Sequence, residues 1–173
     1  MGIKAIKKNE FNMVIKLKFE NILEGFDNYK YVELYPRKNK SQINIENDFI
    51  NTLEDFFHLN SDKDKLIIDF YKNKLNSDSI KYIESYLNYD EKELFHNILK
   101  EGSEEDIFFE ITDKRYIKLL TKLCVKELFF ITFYFTKGPI TVWGNYNLKF
   151  PLFYCNEYSI QEYLKIARDN DLL

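Results

Sequence analysis

The sequence predicts an α+β domain: a mainly antiparallel sheet of about five to six strands drawn from both chain ends, an inserted acidic helical segment over about 43–101, and a C-terminal helix. Three observations carry this expectation. Apolar residues alternate with a period of two near the N-terminus, the middle of the chain changes to helical spacing, and turn residues cut an aromatic stretch near the C-terminus into short strands. No internal repeat or linker interrupts the 173 residues, so residues 1–173 read as one domain around one core.

In the stretch 11–19, Phe11, Met13, Ile15, Leu17 and Phe19 alternate with Asn12, Val14, Lys16 and Lys18, which predicts a half-buried strand. After Gly25, the run YKYVELYP predicts a second strand stopped by Pro36, and the two read as a hairpin-like pair. Ile45, Phe49, Leu53, Phe56 and Phe57 then recur at helical spacing. Ser61 and Asp64 resemble a capping box before a second helical stripe of Leu66, Ile67, Phe70, Tyr71 and Leu75. Ile80, Ile83 and Leu87 form a third stripe. Asp90 and Glu93 read as the cap of a fourth helix that Gly102 ends.

From Ile107 the pattern returns to strand, and the segment after Thr112 predicts a helix with Ile117, Leu120, Leu123, Cys124 and Leu128 inward. Lys137-Gly138-Pro139 and Gly144-Asn145 are turn chemistry, giving strands of about 129–136, 139–143 and 148–154 in an antiparallel meander. Phe129, Ile131, Phe133 and Phe135 share one face of its first strand. Phe130, Thr132, Tyr134 and Thr136 share the other. Ser159 and Glu162 look like the box that opens the last helix.

Composition excludes several classes. With 45% hydrophobic and 17% aromatic residues the chain has ample core-forming material. No apolar run reaches the roughly 20 residues of a membrane helix, and the start lacks the apolar block of a secretion signal. A cytoplasmic protein with two reduced cysteines, Cys124 and Cys155, is expected. The two histidines, His58 and His96, stand apart from any HExxH, CxxC or HxH pattern, and the five glycines form no phosphate loop. No catalytic residue, metal site or cofactor is predicted, and an enzyme of unrecognised type is the weakest of three expectations.

Charge is the more informative signal. The net charge of −3 conceals a segment, 41–113, with seven Lys/Arg against eighteen Asp/Glu, between two basic ends. The loop 101–106 concentrates Glu101, Glu104, Glu105 and Asp106. In the opposite sense, Lys114, Lys118, Lys122 and Lys126 recur every four residues and form one basic ridge on a helix, with Arg115 beside them. Like charges at that spacing repel by a few tenths of a kcal/mol per pair. The acidic segment, water, phosphates or an acidic partner are the available compensators.

The leading expectation is a non-catalytic protein-binding inhibitor, of immunity or phage anti-defence type. It would act through its acidic helical face on another protein such as a nuclease or toxin with a basic site. Glu101, Glu104, Glu105 and Asp106 would form the charged rim, with Trp143, Tyr134 and Tyr146 as aromatic anchors. The alternative is a nucleic-acid-binding module using Lys114, Arg115, Lys118, Lys122 and Lys126. Net acidity and a total of three Arg count against it. No membrane partner is expected, and pairing with a second copy through an exposed edge strand stays open.

Overall fold

The computed structural model describes residues 2–60 and 64–173. Among them lies a seven-stranded, wholly antiparallel sheet built from β1 (Ile3–Ile6), β2 (Lys30–Leu34), β3 (Leu66–Asp69), β4 (Phe108–Ile111), β5 (Thr132–Phe135), β6 (Ile140–Trp143) and β7 (Phe150–Tyr154). Their spatial order is β1-β4-β3-β5-β6-β7-β2. The helices are α1 (Lys8–Val14), α2 (Ile22–Asn28), α3 (Gln42–Leu59), α4 (Ser77–Glu84), α5 (Tyr89–Lys100), α6 (Lys114–Val125) and α7 (Gln161–Asp169). This is the predicted α+β class, with more strands than the five to six expected.

One sheet face carries the main core. Leu66, Ile68, Phe109, Phe133, Phe135, Val142, Phe150 and Leu152 point into a cluster with Phe49 and Phe56 of α3, Phe95 of α5, Leu120 and Leu123 of α6, and Tyr163 of α7. Period two on the strands and near-four spacing on the helices supply these residues, as the pleat and the helical turn require. The meander forms as predicted, with Thr132 opposite Trp143 and Ile140 opposite Tyr154.

Five expectations are corrected. The stretch 11–19 is no strand: its first part is α1, and Ile15, Leu17 and Phe19 are buried along an extended strap while Met13 stands exposed. The alternation is real over 15–19, but it arises from the strap lying across the sheet. The partner of the N-terminal β1 is β4, and β2 pairs with β7, so the expected hairpin does not form.

The stripe at 66–75 is also not a helix. Leu66–Asp69 is β3, buried on both faces between β4 and β5, and a doubly covered strand is a continuous apolar run without a period. The helical insert is therefore interrupted by a central strand; the Ser61 end of the expected capping box lies outside the described residues. The cap of α5 is Asn88 with Glu91, a reciprocal capping box, in place of Asp90 with Glu93. In α7 the N-cap is Ile160 without a side-chain bond, and the Ser159 hydroxyl donates to the Asn156 carbonyl instead.

The second sheet face is covered only in part. α1, the strap and α2 lie over it, and two small clusters hold them down: Phe11 and Ile15 with Ile67, Phe108 and Tyr134, and Leu17 and Phe19 with Phe153. The Thr141 hydroxyl donates to the Leu17 carbonyl at 2.7 Å and pins the strap to β6. No helix among the described residues is long and apolar enough to cross a membrane.

Candidate functional site

The acidic loop leaves α5 through Gly102, whose positive φ of 67° suits a residue without Cβ. Within it, Asp106 turns inward. Its carboxylate accepts from Lys7 Nζ at 2.8 Å, and from the Ser103 N–H and hydroxyl at 2.8 Å each. The Lys7 ammonium and those donors hold its carboxyl far below the ordinary carboxylate range. Glu101 accepts from the Ala5 N–H at 3.1 Å, and its carbonyl accepts from Lys72. Glu104 and Glu105 are left exposed. The loop thus divides into two acids that fasten β1 to α5 and two that face solvent.

The basic ridge divides in the same way. Lys122 Nζ lies 2.7 Å from Glu91 of α5, and Lys126 Nζ lies 3.0 Å from Glu46 of α3, both pairs largely out of water. Arg115 folds back on the N-cap Asp113 at 2.6 Å. Lys114 and Lys118 remain exposed with no ion pair among the described residues. The compensation comes from the chain's own acidic segment. Lys7–Asp106, Lys40–Asp48 and these three pairs all join the segment 41–113 to basic residues outside it. Much of the charge segregated along the chain is brought together by folding.

Of the aromatic residues, Tyr134 is buried in the sheet's second face, Tyr146 is exposed with its ring edge-on to Phe130, and Trp143 is half-buried against Phe19. Sequence reasoning passed over a different set. Tyr82, Tyr86 and Tyr89 stand exposed where α4 gives way to α5, at 58%, 45% and 82% of their full area. The Tyr82 and Tyr86 hydroxyls are 3.2 Å apart and their rings meet edge to face. Their signal is legible in retrospect: three tyrosines at i, i+4 and i+7, offset from the partly buried Ile80 and the buried Ile83 and Leu87.

A second feature escaped notice because long-range pairing builds it. Between the strap and the outer sheet face lies a cleft with two lobes. One, of about 240 Å³, is walled by Phe19, Tyr71, Phe130 and Trp143 over Asp69 and Thr132. The other, of about 490 Å³, shares Phe19, Glu20 and Tyr71 and continues over Phe11, Phe108 and Tyr134. Asp69 ends β3 and is 5% exposed. Its carboxylate accepts from the Thr132 N–H at 2.7 Å and the Tyr134 hydroxyl at 3.4 Å. Burial pushes its pKa up to about 6, against the pull of those donors. An Asp breaking the apolar run LIIDF was the available sequence clue.

Cys124 is buried, and burial raises its thiol far above the ordinary range; Cys155 is exposed at the end of β7. His96 Nε2 is 2.6 Å from Glu84 in a helix–helix contact. Among the described residues no three His, Cys, Asp or Glu side chains converge as a metal site. No family model, no curated protein and no solved structure matches the chain.

Proposed function

We propose that the chain is a non-catalytic macromolecule-binding protein, an inhibitor of immunity or phage anti-defence type, that docks on a basic partner protein such as a nuclease or toxin through the α4–α5 face. The observation that carries this reading is the exposed group of Tyr82 on α4, Tyr86 in the turn that follows it and Tyr89 at the start of α5. Tyrosine presents a large, stiff ring with a polar tip and is enriched at interface hot spots. Asp78, Asp90 and Glu93 stand exposed around the rings, and Glu104 and Glu105 continue the acidic line beyond α5. Such exposed carboxylates steer a basic partner and disfavour polyanions. The free cysteines support a cytosolic setting.

The test begins with cross-linking and mass spectrometry in the native host, followed by affinity measurement with the purified partner. Tyr82→Ala and Tyr89→Ala each weaken binding by about tenfold or more, and charge reversal at Glu104 and Glu105 slows association at low salt. A partner whose affinity ignores the tyrosines removes this face from consideration. Retention on a polyanion that is lost in Lys114→Glu/Lys118→Glu protein, with no protein partner captured, replaces the reading with nucleic-acid binding.

A further inference from the structure

Asp69 is a buried carboxylate with no ion-pair partner among the described residues, and it lines a cleft that solvent can enter. The Thr132 N–H donates to its Oδ1 at 2.7 Å and the Tyr134 hydroxyl lies 3.4 Å from Oδ2, with the Thr132 hydroxyl and the Asp69 N–H as further donors, yet none of these groups carries a positive charge. Neutral donors ease a buried charge without cancelling it, so the carboxylate still lacks a counter-ion beside an open lobe. Burying a charge without a counter-ion costs stability, and side chains with such a cost mark functional sites more often than structural ones.

The surroundings specify what would complete it. Phe19, Tyr71, Phe130 and Trp143 wall the lobe, and the Phe19 and Trp143 rings stack with centroids 5.4 Å apart. Ring faces attract cations through their quadrupole, and quaternary ammonium groups are held in such aromatic surrounds. Glu20 adds a second carboxylate where the two lobes meet; no Lys or Arg lines the smaller lobe, while the larger one is bordered by Lys8 and Lys18 together with Glu24. Its 240 Å³ lies below the size of a typical drug-sized pocket and suits a compact headgroup, with the 490 Å³ lobe beside it to take the body.

We propose that this cleft binds a small organic cation, an ammonium or guanidinium compound whose charged head sits among Phe19, Tyr71 and Trp143 with Asp69 as its counter-ion. The site is distinct from the α4–α5 face and stands or falls independently of it. Nothing is transferred or cleaved; the function is recognition.

Trp143 is the chain's single tryptophan and lines the lobe, so its emission reports occupancy directly. The probes are choline and agmatine, with 3,3-dimethylbutanol as the neutral isostere of choline. At least one cation changes Trp143 emission saturably, and the isostere binds at least about tenfold more weakly than choline if choline is the one that binds. Choline keeps its charge at every pH, so a fall in its affinity below pH 6 reports protonation of Asp69. The groups that face Asp69 are Tyr134 and Thr132 of β5, Tyr71, Cys124 of α6 and, across the lobe, Glu20. Tyr71, Tyr134 and Cys124 are all raised above their ordinary values and stay neutral in this range. Repeating the pH series with Glu20→Gln separates Glu20 from Asp69.

Asp69→Asn lowers cation affinity by about tenfold or more. Because that variant alters the sheet floor, Tyr71→Leu at the rim is the second test, with several-fold loss expected from the missing ring. The proposal is overturned if neither cation binds at about 10 mM, if the isostere matches choline, or if affinity is unchanged both at pH 5 and in Tyr71→Leu.

Discussion

Lys122 of α6 donates to Glu91 of α5 at 2.7 Å, and the same Glu91 carboxylate closes the α5 capping box by accepting from the Asn88 N–H at 2.9 Å. One buried carboxylate therefore fixes a helix start and a helix–helix contact together. Removing the cation leaves that charge largely out of water and unpaired, a change that typically costs about 3–5 kcal/mol when the pair is fully buried. Lys122→Met is expected to lower unfolding free energy by roughly 2–4 kcal/mol. Lys118→Met, four residues earlier on the same helix and exposed, is expected to stay within about 0.5 kcal/mol of the parent. Urea unfolding followed by circular dichroism measures both. Equal costs would mean that the ridge acts as one unit.

Asp69 makes a prediction of the opposite electrostatic kind. Its folded pKa, about 6, is above its ordinary value of 3.8. The folded state therefore holds the proton more tightly than the unfolded chain. The contribution is most favourable below the unfolded value and is lost as pH rises through 6. The shift corresponds to an energy on the order of 3 kcal/mol at neutral pH. Asp69→Asn keeps an acceptor for the Thr132 N–H and removes the buried charge, so it should be more stable than the parent at pH 7.5 and show a flatter stability profile between pH 4 and 7. A variant less stable than the parent at every pH would show that a counter-ion compensates the carboxylate in the native fold.

Asp106 runs the other way. Lys7 and Ser103 depress its pKa, so its contribution is present above the ordinary carboxylate range and is lost as pH falls into acid. Asp106→Asn should open the loop 101–106 and expose the β1–α5 junction, seen as faster amide exchange at Ser103 and Ala5. The difference from the parent should narrow below pH 3. Persistence of the full difference in acid would assign the loss to packing.

How far the sequence disclosed this protein depends on whether the deciding interaction is local. The meander, α3, α6 and β2 were legible because their turn residues, apolar periods and strand stops all lie within the elements themselves. β3 was misread because Leu66–Asp69, paired along both edges by β4 and β5, is also covered on both faces, by the main core and by the α1 cluster, which removes the period that separates strand from helix. The strap was misread because extended chain buries alternate side chains whether or not it joins a ladder. The ridge was visible, but its compensation by Glu91 and Glu46 was only one of several options, since those partners lie 31 and 80 residues away. The cleft was invisible for the same reason: Phe19, Asp69, Phe130 and Trp143 meet only after the sheet has assembled.

That assembly can be probed at Gly25 in α2. A Cβ built there would lie 2.8 Å from the Phe19 ring and 3.0 Å from the Phe153 ring, closer than side-chain carbons normally approach. Two effects compete in Gly25→Ala. Helix propensity favours alanine by about 1 kcal/mol, while overpacking a filled aromatic contact costs about 1–3 kcal/mol. The second should win, because Phe19 is held edge-on by Phe153 at 4.8 Å and stacked on Trp143, so it yields only by leaving the cleft wall. The expected outcome is net destabilisation together with a red shift of Trp143 emission as the indole loses its cover. Leu23→Ala, exposed on the same helix, should do neither. A Gly25→Ala protein that gains stability with unchanged emission would show that α2 rides loosely over Phe19, and the wall of the cleft would then need another support.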